Sequence, residues 1–102
     1  MLVSRDNLGR DLASDLDSVH NYYEALVIAE TQRLLIGRLD NSDYVADIVC
    51  VALNHLPPRY IRHDVDMAFY LSPKERGEME EKITKAVVDG IALVDASDTV
   101  YE

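Results

Sequence analysis

The chain has 102 residues, which is enough for one compact domain and too few for two. Its 19 Asp and Glu residues outnumber its 10 Lys and Arg residues, and a formal net charge of −9 argues against direct binding of DNA or RNA, whose phosphates repel an anionic surface. No apolar run approaches the roughly 20 residues of a membrane span and no signal-peptide pattern is present, so we expect a cytoplasmic protein without a membrane partner.

The two ends of the chain differ in composition from its middle. Residues 1–18 are polar and rich in Asp, with few large apolar side chains. This pattern fits a loose N-terminal arm and a weak N-terminal helix equally well. Residues 95–102 are again polar and predict a C-terminal tail. We therefore expect the single domain to span residues 19–94.

Residues 19–36 predict the first main helix. Their apolar side chains recur at intervals of three and four residues, which is the spacing of a helix with one buried side. Asp15 and Asp17 place negative charge where a helix N-terminus favours it. Gly37 follows directly and is a residue type that commonly ends a helix.

Residues 44–53 predict a second helix that is apolar on nearly every side, since Asp47 is its only charged residue. Residues 40–43 form a turn with candidate N-caps. A buried strand is the alternative, because several of these residues are β-branched, but the length and the lack of alternation favour a helix. A helix that is apolar all round must be covered all round, which indicates a homodimer. Cys50, in its middle, is expected to be a packed core residue.

Pro57 and Pro58 predict the end of the second helix, because a residue before proline avoids the helical conformation. From there, residues 59–71 have no helical periodicity and are expected to be extended and irregular. Residues 67–70 are the candidate for a short strand within them.

The third main helix has the clearest start signal in the chain. Ser72 and Glu75 have the spacing of a capping box, and Pro73 occupies the first helical position between them. The apolar stripe that follows has helical spacing and ends near Val94; its members are Met79, Ile83, Ala86, Val87, Gly90, Ile91 and Val94. The sequence thus predicts a mostly α fold, a small homodimeric helical domain with a short extended segment between its second and third main helices.

Residues 56–63, which we name the cationic segment, concentrate positive charge beside an aromatic ring in an otherwise acidic chain. Arginine guanidinium groups suit phosphate and stack on purines, and tyrosine rings, including that of Tyr70, add stacking area. A phosphorylated nucleotide fits this set. The alternative is that the two arginines pair with Asp64 and Asp66 and only fix the segment in place. The candidate ligand residues here are Arg59, Tyr60, Arg62 and His63.

The chain lacks the usual sequence motifs of metal sites and of enzymes. The three histidines and Cys50 lack the short spacing of known zinc motifs, so we expect no metal and no cofactor. The sequence contains no glycine-rich phosphate loop and no nucleophile elbow, and its carboxylates fall on solvated helix faces. We therefore expect no catalytic residues and a protein that is not an enzyme.

Three stretches of the chain carry a family resemblance. They are residues 21–27 (NYYEALV), 46–54 (ADIVCVALN) and 56–60 (LPPRY), and residues 70–73 (YLSP) continue the pattern. The run of a helix end, two prolines, Arg59 and Tyr60 is fairly specific. Over roughly residues 19–90, the chain resembles the ComFB family of late competence development proteins, in its cyanobacterial form.

The resemblance implies more than the spacing does. ComFB-like proteins are small, mostly helical homodimers, and members are regarded as receptors for cyclic di-GMP or cyclic di-AMP. Some relatives have extra cysteines and a zinc site, whereas this chain has only Cys50. By position, the resemblance assigns the ligand site to Asn21, Glu24, Arg59, Tyr60, Arg62, His63 and Asp64.

The expected function is therefore that of a cyclic-dinucleotide receptor that regulates a partner, such as a transcription factor or another regulatory protein. The alternative is an adaptor in competence or transcriptional regulation that works without a ligand. The sequence does not choose between guanine and adenine as the base.

Overall fold

The computed structural model describes residues 16–97, with the side chains of residues 16–67 and 70–97. Residues 1–15 of the predicted arm and residues 98–102 of the predicted tail lie outside these residues. Four helices begin and end within the described part: α1 (Tyr23–Leu34), α2 (Ser42–Asn54), α3 (Asp64–Tyr70) and α4 (Pro73–Asp95). Two short strands, β1 (His20–Asn21) and β2 (Tyr60–Ile61), pair as an antiparallel ladder. The prediction of a mostly α domain with a short extended segment is confirmed.

α1 and α2 correspond to the first two predicted helices, with small shifts at their ends. α1 begins at Tyr23 and not at residue 19, because His20 and Asn21 are used in β1. Gly37 follows α1 with a φ of 86°, in the left-handed region that glycine adopts at little cost. α2 begins after Asn41, whose side chain accepts a hydrogen bond from the backbone N–H of Tyr44 at 3.1 Å.

α4 begins as the capping box predicts. The Ser72 hydroxyl accepts a hydrogen bond from the backbone N–H of Glu75 at 3.1 Å, and Pro73 occupies the first turn. The predicted apolar stripe is buried against α1 and α2, apart from Ile91, which is partly buried. Its buried members are Met79, Ile83, Ala86, Val87, Gly90 and Val94.

α2 is covered on one side only within a single chain. Tyr44, Ile48 and Ala52 are buried between α1 and α4, while the opposite side of the helix remains accessible. Cys50 is exposed, so the prediction that it is a core residue is wrong. The sequence shows that α2 is apolar on nearly every side, but the positions of α1 and α4 decide which side of it is buried.

The prediction that residues 59–71 are extended is wrong for residues 64–70, which form α3. The prediction of a short strand at residues 67–70 is wrong for the same reason. Asp64 and Asp66 lie in the first turn of α3, where the helix dipole favours negative charge. Met67 is only 2% exposed and anchors this turn to the core. The strand lies earlier, at β2. Among the helices of residues 16–97, none combines the length and apolar character needed to cross a membrane.

Candidate functional site

The pairing of β1 with β2 places the cationic segment beside the start of α1. His20 lies opposite Ile61, and Asn21 lies opposite Tyr60. The backbone N–H of Tyr22 adds a hydrogen bond to the carbonyl oxygen of Arg59 at 2.7 Å. Two parts of the chain that are about 40 residues apart therefore meet at one site.

Asn21 joins these two parts through its side chain. Its amide oxygen accepts hydrogen bonds from the backbone N–H of Tyr23 at 3.2 Å and of Arg59 at 3.0 Å. The residue is 8% exposed. The oxygen of its side chain therefore connects α1 with the cationic segment. The contact of Asn21 with a ligand stays a prediction.

Tyr60 projects from the cationic segment with 67% of its surface exposed. The next residue, Ile61, packs against the core and fixes the backbone beneath it. Arg59 and Arg62, on either side, are exposed, and Arg62 donates a hydrogen bond from Nε to the Ser18 hydroxyl at 2.9 Å. The exposed ring of Tyr60 is thus flanked along the chain by two exposed arginines, Arg59 and Arg62, on an anchored backbone.

His20 contacts the other end of the site, although the sequence offered it only as a metal candidate. Its Nδ1 lies 2.8 Å from the Ser18 carbonyl oxygen, and its Nε2 lies 2.7 Å from a carboxylate oxygen of Asp64. The Ser18 carbonyl, and then the Asp64 carboxylate, raise the pKa of the His20 ring above its usual 6.5. His20 was missed as a site residue because Asp64 lies 44 positions away.

The contact with His20 changes the alternative interpretation of the two arginines. Asp64, one of their two expected partners, binds His20. Within the described residues, Arg59 forms no ion pair with Asp64 or Asp66. Ion pairing to these two carboxylates therefore does not account for the position of Arg59.

The two remaining candidates, Glu24 and His63, are exposed at the edges of the site. Glu24 lies in the first turn of α1, and its charge adds to the rise in the pKa of His20. His63 precedes α3 in an extended conformation. Within residues 16–97, no three His, Cys, Asp or Glu side chains group as metal ligands.

A second feature is an apolar groove between α1 and α2, which we name the α1–α2 groove. Its volume is about 580 Å³, and it lies on the side of α2 that the chain does not cover. Ile28 and Leu39 at its rim are 44% and 42% exposed. The residues that line it are Ile28, Gln32, Leu39, Ser42, Val45, Ala46, Val49, Cys50 and Leu53.

Comparison with known proteins gives one result. The family model described as "Late competence development protein ComFB" matches residues 20–98, which include both strands and all four helices. Neither the curated proteins nor the solved structures provide a match. Because the matched region covers most of the chain and includes the complete candidate site, the chain belongs to the ComFB family.

Proposed function

We propose that this ComFB protein is a cytoplasmic receptor for a cyclic dinucleotide, cyclic di-GMP or cyclic di-AMP, and that ligand binding changes its contact with a regulatory partner protein such as a transcription factor. In this proposal the protein binds its ligand and catalyses no reaction. The observation that carries the proposal is the exposed ring of Tyr60, flanked along the chain by the exposed Arg59 and Arg62, on a backbone held by Asn21.

The chemistry of the cationic segment suits such a ligand. Each guanidinium group can donate two parallel hydrogen bonds to a phosphate, and the Tyr60 ring offers a face on which a purine stacks. The β1–β2 ladder and the Asn21 hydrogen bonds order the backbone before the ligand arrives, which lowers the entropy lost on binding. The family resemblance narrows the phosphorylated ligand to a cyclic dinucleotide.

We further propose that the receptor is a homodimer that associates through the α1–α2 groove. The groove supports this because it leaves apolar residues of α1 and α2 accessible in a single chain. A homodimer has two-fold symmetry, which matches the symmetry of a cyclic dinucleotide built from two identical nucleotides. The same groove would also suit a partner of the ligand-independent adaptor, which is the second candidate function.

Calorimetric titration of both cyclic dinucleotides tests the proposal. We expect at least one to bind with Kd below about 100 μM, which corresponds to about 5.5 kcal/mol. Arg59→Ala and Tyr60→Ala should each weaken binding about tenfold or more, the equivalent of about 1.4 kcal/mol. Arg76→Ala removes an exposed arginine from α4 and is the matched control.

Two results would contradict the proposal. The first is the absence of binding by either ligand at that concentration. The second is an affinity of Arg59→Ala equal to that of Arg76→Ala, which would mean that any positive charge serves equally. Capture of the same partner with and without a cyclic dinucleotide would favour the adaptor.

A further inference from the structure

The two hydrogen-bond contacts of His20 depend on the protonation state of its ring. The Ser18 carbonyl and the Asp64 carboxylate can only accept hydrogen bonds, so each ring nitrogen of His20 must donate one. A neutral imidazole has a single N–H. Both hydrogen bonds therefore form together only when the ring is an imidazolium, with one N–H directed to Ser18 and the other to Asp64.

We infer that protonated His20 is a positioning residue of the proposed ligand site, which makes the order of the cationic segment dependent on pH. This inference rests on the proposed function for its relevance to the ligand. Through one nitrogen His20 holds the chain that precedes α1, and through the other it holds the first residue of α3. The cationic segment ends at His63, directly before Asp64.

Ser18 transmits the effect to an arginine. Its carbonyl oxygen accepts from His20, while its hydroxyl accepts from Nε of Arg62 at 2.9 Å. When His20 loses a proton, one of its two contacts is lost. Loss of the Ser18 contact releases a partner of Arg62, and loss of the Asp64 contact releases the first turn of α3, so either outcome loosens the same site.

Two carboxylates near His20, those of Asp64 and Glu24, favour the imidazolium. Asp64 contacts the ring from α3, and the charge of Glu24 acts on it from α1, while Arg62 shares Ser18 with it as a hydrogen-bond partner. These contacts raise the pKa of His20, so the ring is an imidazolium below pH 6.5 and loses its proton at a pH above that value. The two-point contact is therefore complete in acid and lost as pH rises.

Nuclear magnetic resonance titration from about pH 5.5 to about pH 9 tests the inference, since this range spans histidine deprotonation. In the ligand-free wild type, the amide resonances of residues 62–64 should follow the titration of the His20 ring. In His20→Gln, which keeps a neutral donor near Asp64, that transition should disappear. Asp64→Asn should lower the pH at the midpoint of the His20 titration. His55→Gln, a histidine substitution at the end of α2, should leave the transition unchanged.

The inference would be overturned if the amide resonances of residues 62–64 did not shift with the titration of the His20 ring. It would also be overturned if the same transition appeared in His20→Gln. The ring of His63 is followed in the same spectra, which separates its contribution. A second measurement adds the ligand: the Kd of the better cyclic dinucleotide should rise several-fold between about pH 6 and about pH 8.5 in wild type, and less in His20→Gln.

The two proposals fail in different ways. If a cyclic dinucleotide binds with the same pH dependence in wild type and His20→Gln, the positioning role is wrong and the receptor function stands. If neither cyclic dinucleotide binds at any pH, the receptor function is wrong. The amide titration then still decides whether His20 positions the segment.

Discussion

The side-chain oxygen of Asn21 lies 3.0 Å from the backbone nitrogen of Arg59 and accepts its hydrogen bond across 38 positions of the chain. The same oxygen also accepts from the backbone N–H of Tyr23, in the first turn of α1. One buried amide thus sets the position of the residue that follows the two prolines. The ordering of the cationic segment depends on this contact as well as on the β1–β2 ladder.

Substitution of Asn21 tests this contact. Asn21→Ala removes the acceptor of two backbone N–H groups, and we expect a loss of about 1–3 kcal/mol in the free energy of unfolding. Asn21→Asp retains an acceptor oxygen on a side chain of similar size and should lose less of the free energy of unfolding. Urea denaturation of both variants measures the difference. Equal stability of Asn21→Ala and wild type would show that the contact does not hold the segment.

Two glycines of α4 give a matched pair for the helix packing. A Cβ atom at Gly90 would lie 3.1 Å from the Ile48 carbonyl oxygen, so α2 would have to move. We expect Gly90→Ala to destabilise the fold by about 1–3 kcal/mol. At Gly77 nothing lies within 4 Å, so Gly77→Ala should stabilise the helix by up to about 1 kcal/mol. Thermal unfolding of both variants checks the opposite signs, and a stabilising Gly90→Ala would contradict the close approach.

Local signals in the sequence were sufficient to predict much of this fold. The start of α4 depends on Ser72 and Glu75, three residues apart, and the start of α2 depends on a turn that contains the N-cap Asn41. Such signals involve neighbours in the chain, so they can be read without knowledge of the fold. The candidates from Arg59 to Asp64 could be grouped for the same reason, because they follow one another closely.

Contacts between distant residues could not be predicted in this way. Cys50 lies on an apolar helix, but its exposure depends on which side of α2 the other helices cover. The role of His20 depends on Asp64, 44 positions later. The error at residues 67–70 has a different origin, since acidic residues in the first turn of α3 favour a helix that periodicity alone did not reveal.

Glu30 predicts how the stability of the domain depends on pH. Its carboxylate on α1 accepts hydrogen bonds from Arg33 and from the hydroxyl of Thr84 on α4. These bonds, with that of Arg33 the stronger, lower the pKa of Glu30 from 4.5 to about 2. The unfolded chain therefore binds this proton first, so the stabilisation is complete above pH 4.5 and is lost as pH falls towards 2.

Denaturant unfolding of wild type and Glu30→Gln between about pH 6 and about pH 2.5 measures this contribution. We expect the difference in the free energy of unfolding between the two proteins to be largest at about pH 6. It should shrink, by a few kcal/mol at most, as the pH falls to about 2.5. Asp89→Asn removes the carboxylate of the exposed Lys85–Asp89 pair and is the control. A constant difference across the range would mean that Glu30 keeps its usual pKa.

The proposed dimer gives a prediction for the α1–α2 groove. Ala46 lines the groove on α2 and is exposed, so a glutamate there does not disturb the core of a single chain. In a dimer that buries the groove, the same change places a charge in an apolar interface and should prevent association. Ala92→Glu makes an identical change at an exposed alanine of α4 that does not line the groove. Sedimentation analysis should find dimers for wild type and Ala92→Glu and monomers for Ala46→Glu, whereas dimers in all three proteins would place the interface on another surface.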